Sequence, residues 1–231
     1  MSAITTSKQS HANADRVLRE SKARRIERIV REAAGDLARS DVLDIGTGAG
    51  HIASYLRPRV RSLLSIDVVD ERVARDFEFQ LVDSERLPLA DGSMDIVVSN
   101  HVIEHVEDQR LHLREIRRVL RARGVCYLAT PNRFAVLEPH FRLPLLSWMP
   151  AGMRDRYVRA ARRGARFDVT PLTYSELASL AAEAGLPVRD CSIDVARDVV
   201  AGRLPVAPSV GGWLRPLLPS FVVLLSPEAR A

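Results

Sequence analysis

Residues Val42 to Leu56 read VLDIGTGAGHIASYL: an apolar run broken by an acid, three alternating glycines, and a helix-like segment. A strand that runs into a glycine loop and then a helix brings a nucleotide-like ligand against bare backbone at the strand's carboxyl end. A dinucleotide fingerprint, G-x-G-x-x-G, needs its third glycine where this chain has His51, and it uses the helix N-terminus to hold a pyrophosphate. Asp44, two residues before Gly46, would repel that diphosphate.

A ligand with a cationic amino-acid end and no phosphate would instead be drawn to Asp44. S-adenosylmethionine carries an ammonium, a sulfonium and an adenosine, and it suits both the glycines and the acid. Working outward, Asp67 ends the next apolar run, SLLSID, where a carboxylate can accept from both ribose hydroxyls. Asp83 follows a third run, FQLV, at a place where an acid can accept from an exocyclic adenine amine. Three acids after three successive strands at one sheet edge form a stronger signal than any single glycine loop.

The wider pattern supports strands there. From Asp41 onward, short apolar runs alternate with helical segments: VLDI, a helix over about 49–56, SLLSID, a short helix near Glu71, FQLV, MDIVVSN, a helix ending near Arg121, and GVCYLAT. Such alternation marks a parallel sheet with right-handed crossovers. Gly124 is expected to stop the long helix in a left-handed conformation. Thr173 and Glu176 predict a capping box opening a helix that stops at Gly185. LPVRDCSIDV and SFVVLLSP read as two last strands, joined by a connection long enough to be functional or to carry short helices of its own. Ahead of the sheet, residues 1 to about 12 read as unstructured, and a basic amphipathic helix over about 15–37 caps the core. The expected division is therefore a tail and capping helix over 1–40 and one domain over 41–231, with an insert over about 131–171.

VLDIGTGAG, SIDVVD, LVDSERLPLADGSMDIVVSNHVIEHVED and LREIRRVLRARGVCYLATPN together resemble the class I S-adenosylmethionine-dependent methyltransferases, in the branch that includes ubiquinone and menaquinone methyltransferases. The resemblance covers roughly residues 40 to 131. It implies an α/β, Rossmann-like seven-stranded sheet, mostly parallel with an antiparallel last strand and helices on both faces. It also implies S-adenosyl-L-methionine as cofactor and S-adenosyl-L-homocysteine as product. By that likeness Asp44, Gly46, Thr47, Gly48 and Gly50 would hold the methionine part, and Asp67 and Val68 the ribose and adenine face. Asp83 and Ser84 would meet the adenine edge, while Asn100 and His101 would line the cleft beside the methyl group.

Methyl transfer is an in-line displacement at a sulfonium, so positioning supplies much of the catalysis and a base is needed when the nucleophile is a hydroxyl. Among six histidines, His140 in the insert and His101 beside the cleft are the candidate catalytic residues, with Glu138 placed to orient His140. His105 reads as packing under the site, and His11, His51 and His112 as bystanders. No histidine pair has metal-ligand spacing on a helix and no cysteine joins them, so no metal is expected. The chain has no G-x-S-x-G elbow or P-loop lysine, which leaves hydrolase and kinase readings without support.

Composition bounds the partners. The chain has 231 residues, 46% of them hydrophobic, with formal net charge +5. All but two of its 34 basic residues are Arg. One Arg cluster, from Arg110 to Arg123, shares a helix with core-spaced Leu113, Ile116 and Leu120 and reads as a solvated face. A second, Arg154 to Arg166, follows the apolar stretch FRLPLLSWMP, as in a segment lying at an anionic membrane surface; the alternative is a small lid that buries these side chains on the domain itself. The Arg clusters lack interleaved aromatics for base stacking, so nucleic acid is not an expected partner. Cys126 and Cys191 read as small buried thiols in a reducing compartment, and no secretory signal or 18-residue apolar span is evident, which points to a cytoplasmic protein with at most peripheral membrane contact.

The leading expectation is methyl transfer to a small-molecule or lipid-like acceptor, most directly at oxygen. C-methylation of a quinone-type ring is the close alternative. A catalytically silent cofactor-binding partner or regulator is the second class, and a nicotinamide-dependent oxidoreductase, opposed by His51 and Asp44, is the third.

Overall fold

The residues of the central strands are apolar toward both sides, as a sheet covered by helices on both faces requires. The computed structural model describes residues 20–201 and 218–227. Strands β1 (Asp41–Ile45), β2 (Ser62–Asp67), β3 (Glu78–Leu81), β4 (Met94–Asn100) and β5 (Leu120–Pro131) are parallel. β6 (Val188–Asp190) and β7 (Ser220–Leu225) complete a seven-stranded sheet in the order β3-β2-β1-β4-β5-β7-β6, with β7 antiparallel to both of its neighbours. The order reverses at β1, which lies between β2 and β4, and a crevice at such a point is where open α/β sheets bind ligands.

Alternation along the strands divides the core in two. Leu43, Val97, Cys126, Leu128 and Val223 face one layer, packed by α3 (Gln109–Val119) and α5 (Tyr174–Glu183). Val42, Ile96, Val98, Tyr127 and Leu224 face the other, packed by α1 (residues 20–34) and α2 (His51–Leu56). Helix α1 reaches the sheet through Ile26, Ile29 and Val30, at helical spacing. Asp108 caps α3 by accepting from the backbone N–H groups of Arg110 and Leu111. The capping box of Thr173 and Glu176 forms at the start of α5, and Gly185 follows the helix at φ +70°.

Three local expectations are corrected. No helix forms near Glu71: the Val73 and Ala74 amides donate to the Ala49 carbonyl, and Asp70 accepts from the Arg72 amide and guanidinium, so the segment's backbone bonds across to the glycine loop. Gly124 does not end α3, which stops at Val119 with β5 beginning at Leu120. Gly124 is needed inside the strand, because a Cβ there would come within 2.9 Å of Leu120 Cδ2 and 3.0 Å of the Asp95 carbonyl. LPVRDCSIDV is not one strand: β6 ends at Asp190, whose carboxylate accepts from the Ser192 amide as helix α6 (Ser192–Ala201) begins. The rest of the long connection, with Trp213 and its prolines, and the tail over residues 1 to 12 lie outside the described residues.

The insert after β5 builds a small core of its own. Leu143, Leu146 and Val158 are buried there against Phe141, Tyr157 and Phe167, with α4 (Ala151–Ala160) supplying Tyr157 and Val158. An isolated bridge from Asn132 to Leu172 closes the base of the insert. Both described cysteines are buried free thiols, Cys126 within β5 and Cys191 just after β6.

Candidate functional site

Gly46, Gly48 and Gly50 all adopt positive φ, at +75°, +50° and +81°. Packing as well as conformation demands glycine at two of them. A Cβ on Gly46 would drive into Val102, and one on Gly50 would lie 2.7 Å from the Phe77 ring and 2.9 Å from the Ala74 carbonyl. Around Gly48, by contrast, a Cβ would meet nothing within 4 Å, so the loop presents open space at its middle. The loop is pinned to β2 by the Gly46 amide, 2.9 Å from the Ile66 carbonyl, and by the Thr47 hydroxyl, 3.1 Å from the same oxygen.

The two acids of the loop are differently held. Asp44 is only 2% exposed; its carboxylate accepts from the Ser65 hydroxyl at 2.7 Å. Burial, with a contribution from the nearby Asp67 charge, pushes its carboxyl up to about 6, although the Ser65 bond works the other way. Asp67 accepts from the Gly48 amide at 2.8 Å and from the Val68 amide at 2.7 Å, which aims it at the mouth of the loop. Val68 is exposed beside it. Asp83 and Ser84 line a cleft of about 490 Å³ with Gln80, Val82, Arg86 and Pro88.

A second group of residues gathers one strand away. Asn100 ends β4, and His101 follows it at φ +60°, a conformation uncommon for a residue with a side chain, with its amide bonded to the Ala129 carbonyl on β5. His101 Nδ1 lies 3.2 Å from Oε1 of Glu104, a glutamate with only 1% of its surface exposed. The other Glu104 oxygen accepts from the Thr130 hydroxyl of β5 at 3.1 Å. His140, from the insert, brings Nε2 to 3.6 Å from Glu104 Oε1 while Nδ1 lies 3.0 Å from Oε1 of the buried Glu138. Glu138 is fixed in turn by the Phe141 amide, 2.6 Å from its Oε2. The His140 imidazole is held above its ordinary pKa by the Glu138 hydrogen bond first, against burial, and then by the charges of Glu138, Glu104 and Asp168.

The fold thus joins His101 and His140, which sequence singled out separately, and adds Glu104, which sequence reasoning missed. The available signal was a glutamate between apolar Ile103 and a histidine, three residues after His101, where only burial with a partner makes sense. His105 stacks edge-on against His140, with ring centroids 5.2 Å apart. His112 lies in the core with Nε2 3.1 Å from the Ser99 hydroxyl, and burial pushes it down to about 4 against the pull of Glu104. The two groups meet at Val102: the residue after His101 is the one that packs against Gly46.

The Arg clusters also separate. Around α3, Arg110, Arg114 and Arg118 pair with Glu183, Asp108 and Glu115, and Arg121 with Asp95 and Asp41. Among the described residues, Arg156, Arg159, Arg162, Arg163 and Arg166 have no carboxylate within ion-pairing distance. They share the insert with exposed Phe134, Val136, Leu137, Leu145, Trp148 and Met153.

With this geometry in place, comparison with known proteins is direct. The family described as a methyltransferase domain matches residues 43–128. A probable S-adenosylmethionine-dependent methyltransferase of Mycobacterium tuberculosis is 37% identical over 99 residues, 40% of this chain and 36% of that protein, so the match spans little more than a third of that relative's length. A ubiquinone biosynthesis O-methyltransferase of Pseudomonas aeruginosa is 30% identical over 179 residues, 69% of each chain. The fold is similar to the crystal structure of an S-adenosylmethionine-dependent methyltransferase from Mesorhizobium loti, with TM-score 0.60 at 13% identity over 85% of this chain and 95% of that one. The chain belongs to the class I S-adenosylmethionine-dependent methyltransferases. Its cofactor pair is that of the family, S-adenosylmethionine and S-adenosylhomocysteine. The residues present fit that cofactor: the open middle of the loop leaves room for it, and a buried acid beneath suits a cationic amino-acid end.

Proposed function

We propose that the chain transfers a methyl group from S-adenosylmethionine to a hydroxyl oxygen of a small, amphiphilic acceptor. One observation supports this reading: Val102, the residue after His101, packs against Gly46, which sets the histidine cluster beside the glycine loop. S-adenosylmethionine supplies an electrophilic methyl group on a sulfonium. In this assignment Asp44, Gly46, Thr47, Gly48 and Gly50 hold the methionine end, with the Asp44 carboxylate facing its ammonium. Asp67 accepts from the ribose hydroxyls, Val68 covers the adenine, and Asp83 and Ser84 meet the adenine edge. Asn100 lines the cleft beside the reacting carbon.

The acceptor oxygen must then lie in line with the carbon–sulfur bond while losing its proton. His101 and His140 are the catalytic residues assigned to that hydroxyl. Glu138 holds His140 at Nδ1, which leaves Nε2, 3.6 Å from Glu104 Oε1, as the ring atom assigned to the proton. The exposed apolar side chains of the insert begin three residues after Pro131, on the same segment as His140, which favours an acceptor with an apolar part. No described helix is long and apolar enough to cross a membrane, and the proposed membrane contact is peripheral, through the insert.

Calorimetry with S-adenosylmethionine, S-adenosylhomocysteine and NAD tests the cofactor assignment, with Asp67→Ala expected to abolish binding of the first two. NAD binding alone would sink it. Incubation with phenolic and lipid-like hydroxyl acceptors, followed by mass and NMR analysis of the product, tests the oxygen assignment. A carbon-bound methyl on a quinone-type ring would transfer the proposal to C-methylation.

A further inference from the structure

We infer that His101, Glu104 and His140 form a binding site for a single divalent transition-metal cation of the zinc type. The site's role in the reaction rests on the methyltransferase reading above, but cation binding itself does not.

Ligand geometry is the first argument. Donors bound to one such cation at about 2.0–2.2 Å must sit roughly 3–3.5 Å from one another. His101 Nδ1 is 3.2 Å and His140 Nε2 is 3.6 Å from the same Glu104 oxygen, and donor atoms of all three residues lie within 4.8 Å of one another. Two imidazoles and one carboxylate with an open side is the donor set of catalytic zinc and of non-haem divalent iron.

The surroundings are the second argument. A histidine that binds a metal through one ring nitrogen characteristically donates from the other to a carboxylate, which fixes the tautomer and raises ligand basicity. His140 does this through Nδ1 and Glu138, which is itself buried and tied to the Phe141 amide. Glu104 is likewise oriented, with its other oxygen bonded to Thr130. Two enclosed carboxylates, Glu104 and Glu138, flank one imidazole ring, so oxygen and nitrogen donors converge on one place. The left-handed backbone of His101 turns its ring toward Glu104 at a conformational cost, as strained residues at functional sites often do.

Sequence spacing concealed this arrangement. His101 and Glu104 come from the turn after β4 and His140 from the insert after β5, so no helical motif announces them. A cation there would take the acceptor's hydroxyl oxygen as a further ligand and lower its pKa, as metals do for bound water. The proton leaves to solvent, the oxygen forms its bond to the methyl carbon, and the carbon–sulfur electron pair remains on sulfur. The histidines then act on the hydroxyl through the cation.

The test is calorimetric titration of chelator-treated full-length protein with Zn²⁺ and Co²⁺, the visible absorption of Co²⁺ reporting its coordination. One saturable site is expected. His140→Ala, whose side chain is 27% exposed and tolerates truncation best, should weaken it at least ~100-fold, and Glu138→Gln by roughly 10–100-fold as outer carboxylates do. Circular dichroism confirms that the variants fold. No saturable binding, or isotherms unchanged in both His140→Ala and Glu104→Gln, overturns the inference. S-adenosylmethionine binding to the chelated protein is measured in parallel. Its survival with cation binding absent rejects the metal site alone, whereas its loss rejects the methyltransferase reading and leaves the cation result standing.

Discussion

In the proposed assignment Asp44 gives up stability of the fold for binding of the cofactor's ammonium. Its carboxyl, raised from 3.8 to about 6 by burial, is ionised at neutral pH at a cost of about 3 kcal/mol to the folded state. Because the folded value lies above the unfolded one, the stabilising effect of its protonation is complete below about pH 3.8 and is lost as pH rises through 6. Asp44→Asn keeps an acceptor for Ser65 and should therefore raise the Tm at pH 7 by several degrees, a gain that vanishes near pH 4. The same variant should bind S-adenosylmethionine about 10–100-fold more weakly, because a charged contact to the ammonium is lost. Wild-type affinity should likewise fall as pH drops below 6, and a flat affinity profile between pH 5 and 7 would contradict the role given to Asp44. At Gly50 the demand is steric: Gly50→Ala must hold φ +81° against Phe77 and Ala74, costing at least about 2 kcal/mol in denaturant unfolding.

Elements bring their own constraints. The capping box of α5 is also an anchor for the insert, since Glu176 accepts from the Thr173 amide at 2.8 Å and from Arg133 at 2.8 Å. Thr173→Ala should cost ~1 kcal/mol, a fall of roughly 2–4 °C in Tm. The insert buries Leu143, Leu146 and Val158 in a small core of its own and not on the sheet domain, and it leaves Trp148 and Met153 exposed. If that face meets anionic lipid, each arginine near the surface contributes about 1 kcal/mol. Co-sedimentation with vesicles containing phosphatidylserine should then exceed that with neutral vesicles, and Arg156→Glu with Arg163→Glu should reduce it at least tenfold. Equal binding of both proteins to both vesicles would dismiss the surface. α3 behaves differently because its Arg110, Arg114 and Arg118 already have carboxylate partners.

At the scale of the whole molecule, cofactor binding should couple to the cooperative unit that the sheet defines. Saturation at about 100 times Kd should stabilise the fold by roughly 2.7 kcal/mol, visible as a Tm rise with S-adenosylmethionine and none with NAD. The layered sheet was legible in the chain because its information is local: apolar runs of strand length, glycines at the mouth of β1, and acids at successive strand ends. Local readings failed where a distant group captured the backbone. Ala49 took the amides expected to coil near Glu71, and β4 pressed on Gly124 from the side. Sequence by itself determined the fold class and the family, since both rest on periodicity and on motifs contained in short segments. Only the tertiary structure decided that His101, Glu104 and His140 share one place, because they converge from two separate connections and their meeting depends on how β4 and β5 lie side by side.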